Sequence, residues 1–263
     1  MALTATATIN TTKSIIKTLN MDKPVVISVS PNKPNIIYSL TKKLEIEQSL
    51  SPVVMRLCER RENMERTIIF CRTYQECCDV YRYFKSCLGP SFTEPVGIED
   101  LAQFRFVDMF THCTHPSTKD IIMKRFTSPS SLRIVIATIA FGMGVDCPDV
   151  RQIIHWGPPS DIEMYVQESG RAGRDGKASL ATILVGKGDL NKATHSKDII
   201  DYCTNDTMCR REVLYRDFQE YTGIPPNGCH CCGICMQTCK CGQCEKTLEN
   251  FVLVFINKWY KNY

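Results

Sequence analysis

The sequence predicts an α/β fold: a parallel sheet with helices on both faces, followed by a small helical module rich in cysteine. Two observations carry the sheet. Short β-branched runs alternate with longer helical patterns between about residues 66 and 186, and those runs are almost continuously apolar, as strands buried on both faces are. The module rests on a third observation, that nine of the sixteen cysteines fall within residues 203–244.

Taken in order, TINTTKSIIKTLNM (8–21) has helical spacing, and PVVISVS (24–30) reads as a strand with no partner nearby in sequence. Pro31 and Pro34 then break regular structure, as a hinge would. The strands of the sheet are TIIFC (67–71), FVDMFTHC (106–113), RIVIAT (133–138), RQIIHW (151–156) and SLATILVG (179–186). Helical patterns occupy 74–88 and 117–126, and the Gly- and Pro-containing stretch 89–105 is a loop. Ser160-Asp161-Ile162-Glu163, after Pro158-Pro159, fits a capping box that starts a helix at Ser160. EVLYRDFQEY (212–221) is helical, and NFVLVFINKWYKNY (250–263) is a docking strand or a tail. The chain divides into 1–30, the end of a preceding unit; 31–200, the sheet; 201–246, the cysteine module; and 247–263, a tail.

Apolar residues at 43% suffice for a real core, and the net charge of +4 permits nucleic-acid contact without requiring it. No apolar run approaches the ~20 residues of a membrane span. The N-terminus lacks the basic-then-apolar order of a secretory signal. The chain therefore reads as soluble and intracellular, and in that setting clustered cysteines point to metal before disulfides.

YVQESGRAGRDG (165–176) places Arg171 and Arg174 among Gly170, Gly173 and Gly176. Guanidinium forks suit phosphate, and glycine lets backbone approach a ligand closely. Gln167 stands four residues before Arg171 on the same helical face. Upstream, ATIAFGMGVD (137–146) sets Gly142 and Gly144 where a strand turns, with Asp146 beyond. That is how α/β proteins bring amides to phosphate and a carboxylate to ribose hydroxyls. Alone, each pattern also reads as a solvated face or an ordinary turn. The sequence holds neither a G-x-x-x-x-G-K-[ST] loop nor D-E-x-H.

In the module, Cys209 precedes CHCCGIC (229–235), where Cys229, Cys232 and Cys235 repeat with two-residue gaps. Four thiolates suit a closed, structural, tetrahedral Zn²⁺ site. His230 and Cys231 are alternative ligands one position away, while Cys239, Cys241 and Cys244 are left over.

At this point the chain resembles the RecQ family of ATP-dependent DNA helicases. IVIATIAFGMGVD with VRQIIHWGPPSDIEMYVQESGRAGRDG resembles motifs V and VI, ALTATAT (2–8) motif III, KPN (33–35) the R-P-N entry to the second lobe, and IIFCRT (68–73) motif IV. C-R-R followed by C-x₂-C-x₂-C resembles the RecQ zinc module. The resemblance implies that 1–30 ends a first RecA-like lobe, that 31–200 is the second, and that 201–246 binds one structural Zn²⁺. It implies an ATP-dependent, 3′–5′ DNA helicase acting in DNA repair or recombination in the nucleus. ATP with Mg²⁺ would be held mainly by the first lobe, a partner that the chain needs for activity. Arg171 and Arg174 would meet the γ-phosphoryl group, Gln167 would couple nucleotide to the lobe interface, and Asp146 would accept from ribose. Arg72, Thr73 and Thr138 would contact single-stranded DNA. The alternative is a non-catalytic DNA- or protein-binding fragment. FTHCTHP (110–116) departs from the family's Y-H-A-G-L, and Lys33 replaces the usual arginine.

Overall fold

The computed structural model describes residues 1–138 apart from 5, together with 147, 149–219 and 230–240. A six-stranded sheet forms in the order β1-β6-β5-β2-β4-β3. Its strands are β1 (Ile36–Lys42), β2 (Arg66–Cys71), β3 (Val107–Phe110), β4 (Ile134–Ala137), β5 (Val150–Trp156) and β6 (Ser179–Val185). Every pairing is parallel. The period-two pleat divides each central strand between two cores. In β2, Ile68 and Phe70 enter one core, while Ile69 and Cys71 enter the other.

Helices α2 (Ile46–Arg60) and α3 (Tyr74–Leu88) cover one face through Leu50, Val53 and Leu57 and through Cys77, Val80 and Phe84. The opposite face is covered by α4 (Pro116–Thr127), α5 (Ile162–Ser169), α6 (Lys197–Thr204) and α7 (Arg210–Tyr215). Two short elements complete the fold: α1 (Ile9–Thr18) and, in the cysteine module, α8 (Gly233–Thr238). None of the described helices is long and apolar enough to cross a membrane.

Four sequence expectations need correction. IIYSLTK was not read as a strand, yet it is β1, paired along its whole length with β6. PVVISVS (24–30) forms no strand and joins no sheet, and Val25, Ile27 and Val29 are each nearly 90% exposed. Strand geometry needs a partner for its backbone groups, and none is present among the described residues. Helix α5 begins one residue later than expected: the Asp161 carboxylate accepts from the Met164 amide at 2.7 Å. Glu163 does not close a capping box but accepts from the Thr8 amide at 2.6 Å, tying the N-terminal segment to α5. Finally, His115, given no role from sequence, caps α4 by accepting from the Ser117 amide.

Candidate functional site

The sheet separates the expected site residues into two groups. Thr73 follows β2 and Thr138 follows β4 at the carboxyl edge, whereas Arg171 and Arg174 lie in the turn that brings the chain back to the start of β6. The Gly173 amide donates to the carbonyl of Val150, the first residue of β5, at 3.0 Å. The Gly173 end of the arginine turn is thus at the amino edge of the sheet, opposite the other group. Sequence alone placed all of these residues at strand ends without distinguishing the two edges.

Arg171 and Arg174 do not extend α5, which stops at Ser169. A tight turn follows, with the amides of Gly170, Arg171 and Ala172 donating to the carbonyls of Val166, Glu168 and Ser169. Gly173 then adopts φ +58°, the left-handed region where a side chain is disfavoured. Gln167 is exposed on α5, whereas Arg171 is buried, so the two do not present one continuous face. Burial lowers the Arg171 pKa, the positive charge of Arg174 lowers it further, and Glu168 opposes both. Two cations close enough to repel form a place where an anion is welcome. Gly142, Gly144 and Asp146 lie outside the described residues.

At the carboxyl edge, Thr73 is the N-cap of α3 in a reciprocal capping box with Glu76. Arg72 donates to Glu76 Oε1 at 3.4 Å and to Asp189 Oδ1 at 3.3 Å, and Lys43 pairs with the same two carboxylates. Arg72 and Thr73 line a cavity of about 350 Å³ together with Phe70, His155, Glu168 and His195. None of the last four was given a site role from sequence. His155 Nε2 lies 2.9 Å from Glu168 Oε2 in a buried pair, and the imidazole stacks on Phe70 at 5.4 Å. A histidine near the end of an apolar strand was the available signal. Thr138 is half-buried directly after β4.

The cysteine module gathers Cys209, Cys231, Cys232 and Cys235, with all four sulfurs within 4.8 Å of one another. Cys209 Sγ lies 3.4 Å from Cys231 Sγ and 4.0 Å from Cys232 Sγ. A tetrahedron with ~2.3 Å metal–sulfur bonds has sulfurs roughly 3.8 Å apart, so this spacing fits one zinc-sized ion. The amides of Arg210 and Cys235 donate to Cys232 Sγ at 3.4 and 3.5 Å. Thiol donation from Cys209 and Cys231 with these two amides drives the Cys232 pKa down, toward the thiolate that metal binding needs. Three expected ligands are therefore brought together with Cys231, which sequence held only as an alternative. Cys229 lies outside the described residues, as do Cys241 and Cys244, and Cys239 is not part of the cluster.

Comparison with known proteins agrees with this architecture. Residues 49–176 match the helicase conserved C-terminal domain. The chain is 30% identical over 247 residues to ATP-dependent DNA helicase Q-like 2 of Arabidopsis thaliana, covering 89% of this chain and 32% of that protein. It is 36% identical over 132 residues to RecQ-like DNA helicase BLM of Xenopus laevis, covering 43% of this chain and 10% of that protein. The chain thus spans about a third of the first relative's length and less of the second's. Among solved structures, a variant of S. cerevisiae Dbp5 bound to RNA and ADP BeF3 superposes with a TM-score of 0.56 at 17% identity. That match covers 76% of this chain and 48% of Dbp5, and it is a likeness of fold. The chain therefore carries a helicase conserved C-terminal domain, and over most of its length it is similar to part of the RecQ-like DNA helicases.

Proposed function

We propose that this chain is the second motor lobe and cysteine module of an ATP-dependent DNA helicase, moving 3′ to 5′ along single-stranded DNA and opening duplex. The observation that carries the reading is the braced turn that sets Arg171 and Arg174 side by side at the amino edge of the sheet. ATP with Mg²⁺, held chiefly by the facing first lobe, supplies the phosphoryl transfer that drives the motor. This chain's own contribution is charge. Arg174, exposed, and Arg171, mostly buried behind it, approach the γ-phosphoryl group, and guanidinium groups in that role are worth roughly 10³–10⁵ in rate. Gln167 couples nucleotide to the lobe interface, and Gly142, Gly144 and Asp146, outside the described residues, are assigned to nucleotide by the family resemblance alone.

Single-stranded DNA lies on the opposite edge, where Arg72, Thr73 and Thr138 meet its phosphates; such contacts hold the strand without reading its sequence. Cys209, Cys232 and Cys235, with Cys231 or Cys229 as the fourth thiolate, hold one Zn²⁺ that supplies a structural cross-link. The names of the RecQ-type relatives support DNA as the track, and repair or recombination in the nucleus follows the same resemblance. The test is Arg174→Ala in the chain joined to a first lobe. DNA-stimulated ATP hydrolysis should fall at least 10³-fold with nucleotide affinity little changed. Retained turnover would refute the arginine assignment.

A further inference from the structure

The turn that carries the arginines does not hold itself. Where it leaves α5, the Gly170 carbonyl accepts from Lys33 Nζ at 2.5 Å. At its tightest point, the Gly173 carbonyl accepts from Asn35 Nδ2 at 2.8 Å. The same amide nitrogen donates to the Lys177 carbonyl at 2.8 Å, and the Asn35 carbonyl accepts from the Ser179 amide at 2.9 Å. Lys33-Pro34-Asn35 therefore touches the turn at its beginning, middle and end.

Arg211 grips the same brace from the other side. It is wholly buried, with its guanidinium 5.1 Å from the Tyr38 ring centre. Its Nη1 donates to Asn32 Oδ1 at 2.5 Å and to the Lys33 carbonyl at 2.8 Å. Its Nη2 donates to the Ile36 carbonyl and, at 3.4 Å, to the carbonyl of Cys231. A buried guanidinium is tolerated when its donors are satisfied, and here hinge and cysteine module share that task for Nη1 and Nη2, while Nε donates to no group among the described residues. The module also reaches β1 directly through a parallel bridge between Cys232 and Tyr38. An unbroken path of bonds thus runs from the cysteine cluster through Arg211 and the Lys33–Asn35 brace to the arginine turn.

We infer that Arg211, Lys33 and Asn35 are positioning residues that make placement of Arg171 and Arg174 depend on metal in the cysteine cluster. The inference rests on the metal reading above and goes beyond it. Loss of the ion frees residues 231–235, which removes one anchor of Arg211. The backbone of Lys33 then loses its fixed donor, and the clamps on Gly170 and Gly173 loosen. None of the three residues needs to touch nucleotide.

The experiment compares the full chain loaded with cobalt(II) and after chelation, because cobalt–thiolate absorption reports the cluster independently of the turn. Hydrogen exchange of the amides of Arg171 and Gly173, which donate to the carbonyls of Glu168 and Val150, reports the turn. Chelation should speed their exchange about tenfold, the loss of one to two hydrogen bonds. The Lys33→Ala/Asn35→Ala double variant, at partly exposed positions, should keep the cobalt spectrum, exchange fast when loaded, and respond little to chelation. Lys33→Arg, which retains a donor, should behave as the unaltered chain does. A normal cobalt spectrum with exchange indifferent to chelation, or equally sensitive in the double variant, would overturn the coupling and leave the metal reading standing. Failure of the purified chain to take up metal would overturn both.

Discussion

Gly173→Ala offers a sharp test of the turn because its cost can be worked from the structure. At φ +58° a residue with a Cβ loses about 1–2 kcal/mol relative to glycine. The added Cβ would overlap Asn35 Nδ2 and lie 2.8 Å from the Lys177 carbonyl oxygen. The carbonyl is backbone and cannot yield, so Asn35 must swing away and give up its bonds to Gly173 and Lys177, at ~1 kcal/mol each. The expected loss is about 3–4 kcal/mol in urea unfolding of the full chain. Gly176→Ala is the internal control: its φ is +79°, but a Cβ there meets nothing within 4 Å. It should cost only the backbone strain of about 1–2 kcal/mol. Equal losses in the two variants would refute the claim that Asn35 packs against the turn, and no loss in either would refute the turn's conformation.

Two further outcomes are expected. Metal analysis of the purified chain should find one zinc, and its removal should destabilise the module by an amount on the order of 10 kcal/mol in apparent binding energy. Two ions would show that the cysteines beyond Cys235 form a second site, and none would end the metal reading. The second outcome concerns Asp108, buried at the start of β3. Burial raises its pKa above 3.8, with Arg105 acting in the opposite sense. A raised carboxyl pKa means that the folded state binds the proton more tightly, so the charged form costs stability above that pKa and the cost disappears below 3.8. Relative to Asp108→Asn, the unaltered chain should therefore gain stability as pH falls from neutral toward 3.8, followed by urea midpoints. A constant difference across that range would show the carboxyl to be unperturbed.

The central sheet was legible because its strands are buried on both faces and leave apolar runs that helices interrupt. What failed was whatever depends on a partner. Val25, Ile27 and Val29 have the composition of a strand, but composition does not supply a neighbouring backbone. IIYSLTK, less continuously apolar, is a strand because β6 lies alongside it. The arginine pair was legible as a phosphate-seeking pattern, whereas its brace was not, since Lys33 and Asn35 meet Gly170 and Gly173 only after the chain has folded across more than half its length. Of the cysteines, spacing singled out Cys229, Cys232 and Cys235, but Cys231 is turned inward beside Cys209 by the bridge of Cys232 to β1. The His155–Glu168 pair left almost no sequence signal because strand and helix contribute one residue each.

That pair also bears on how two edges of one sheet act together. Helix α5 starts beside the carboxyl-edge cavity, where Ser160 and Met164 line the wall, and ends in the arginine turn. Glu168 belongs to both ends: its carboxylate holds His155 in the cavity wall, and its carbonyl accepts from the Arg171 amide at 3.2 Å. On the proposed function, a displacement of the turn by nucleotide would pull on a side chain in the wall of the cavity that Arg72 and Thr73 also line. Arg72 is poised to respond, since its two carboxylate contacts are long and partly exposed, and such pairs are worth only ~0–1 kcal/mol. Exchanging them for a phosphate costs little, whereas breaking the buried His155–Glu168 hydrogen bond leaves polar atoms unpaired away from water, at about 1–3 kcal/mol. On the proposed function, this order suits a motor lobe: a buried link between the edges, and a weakly held arginine where a strand would be gripped and released.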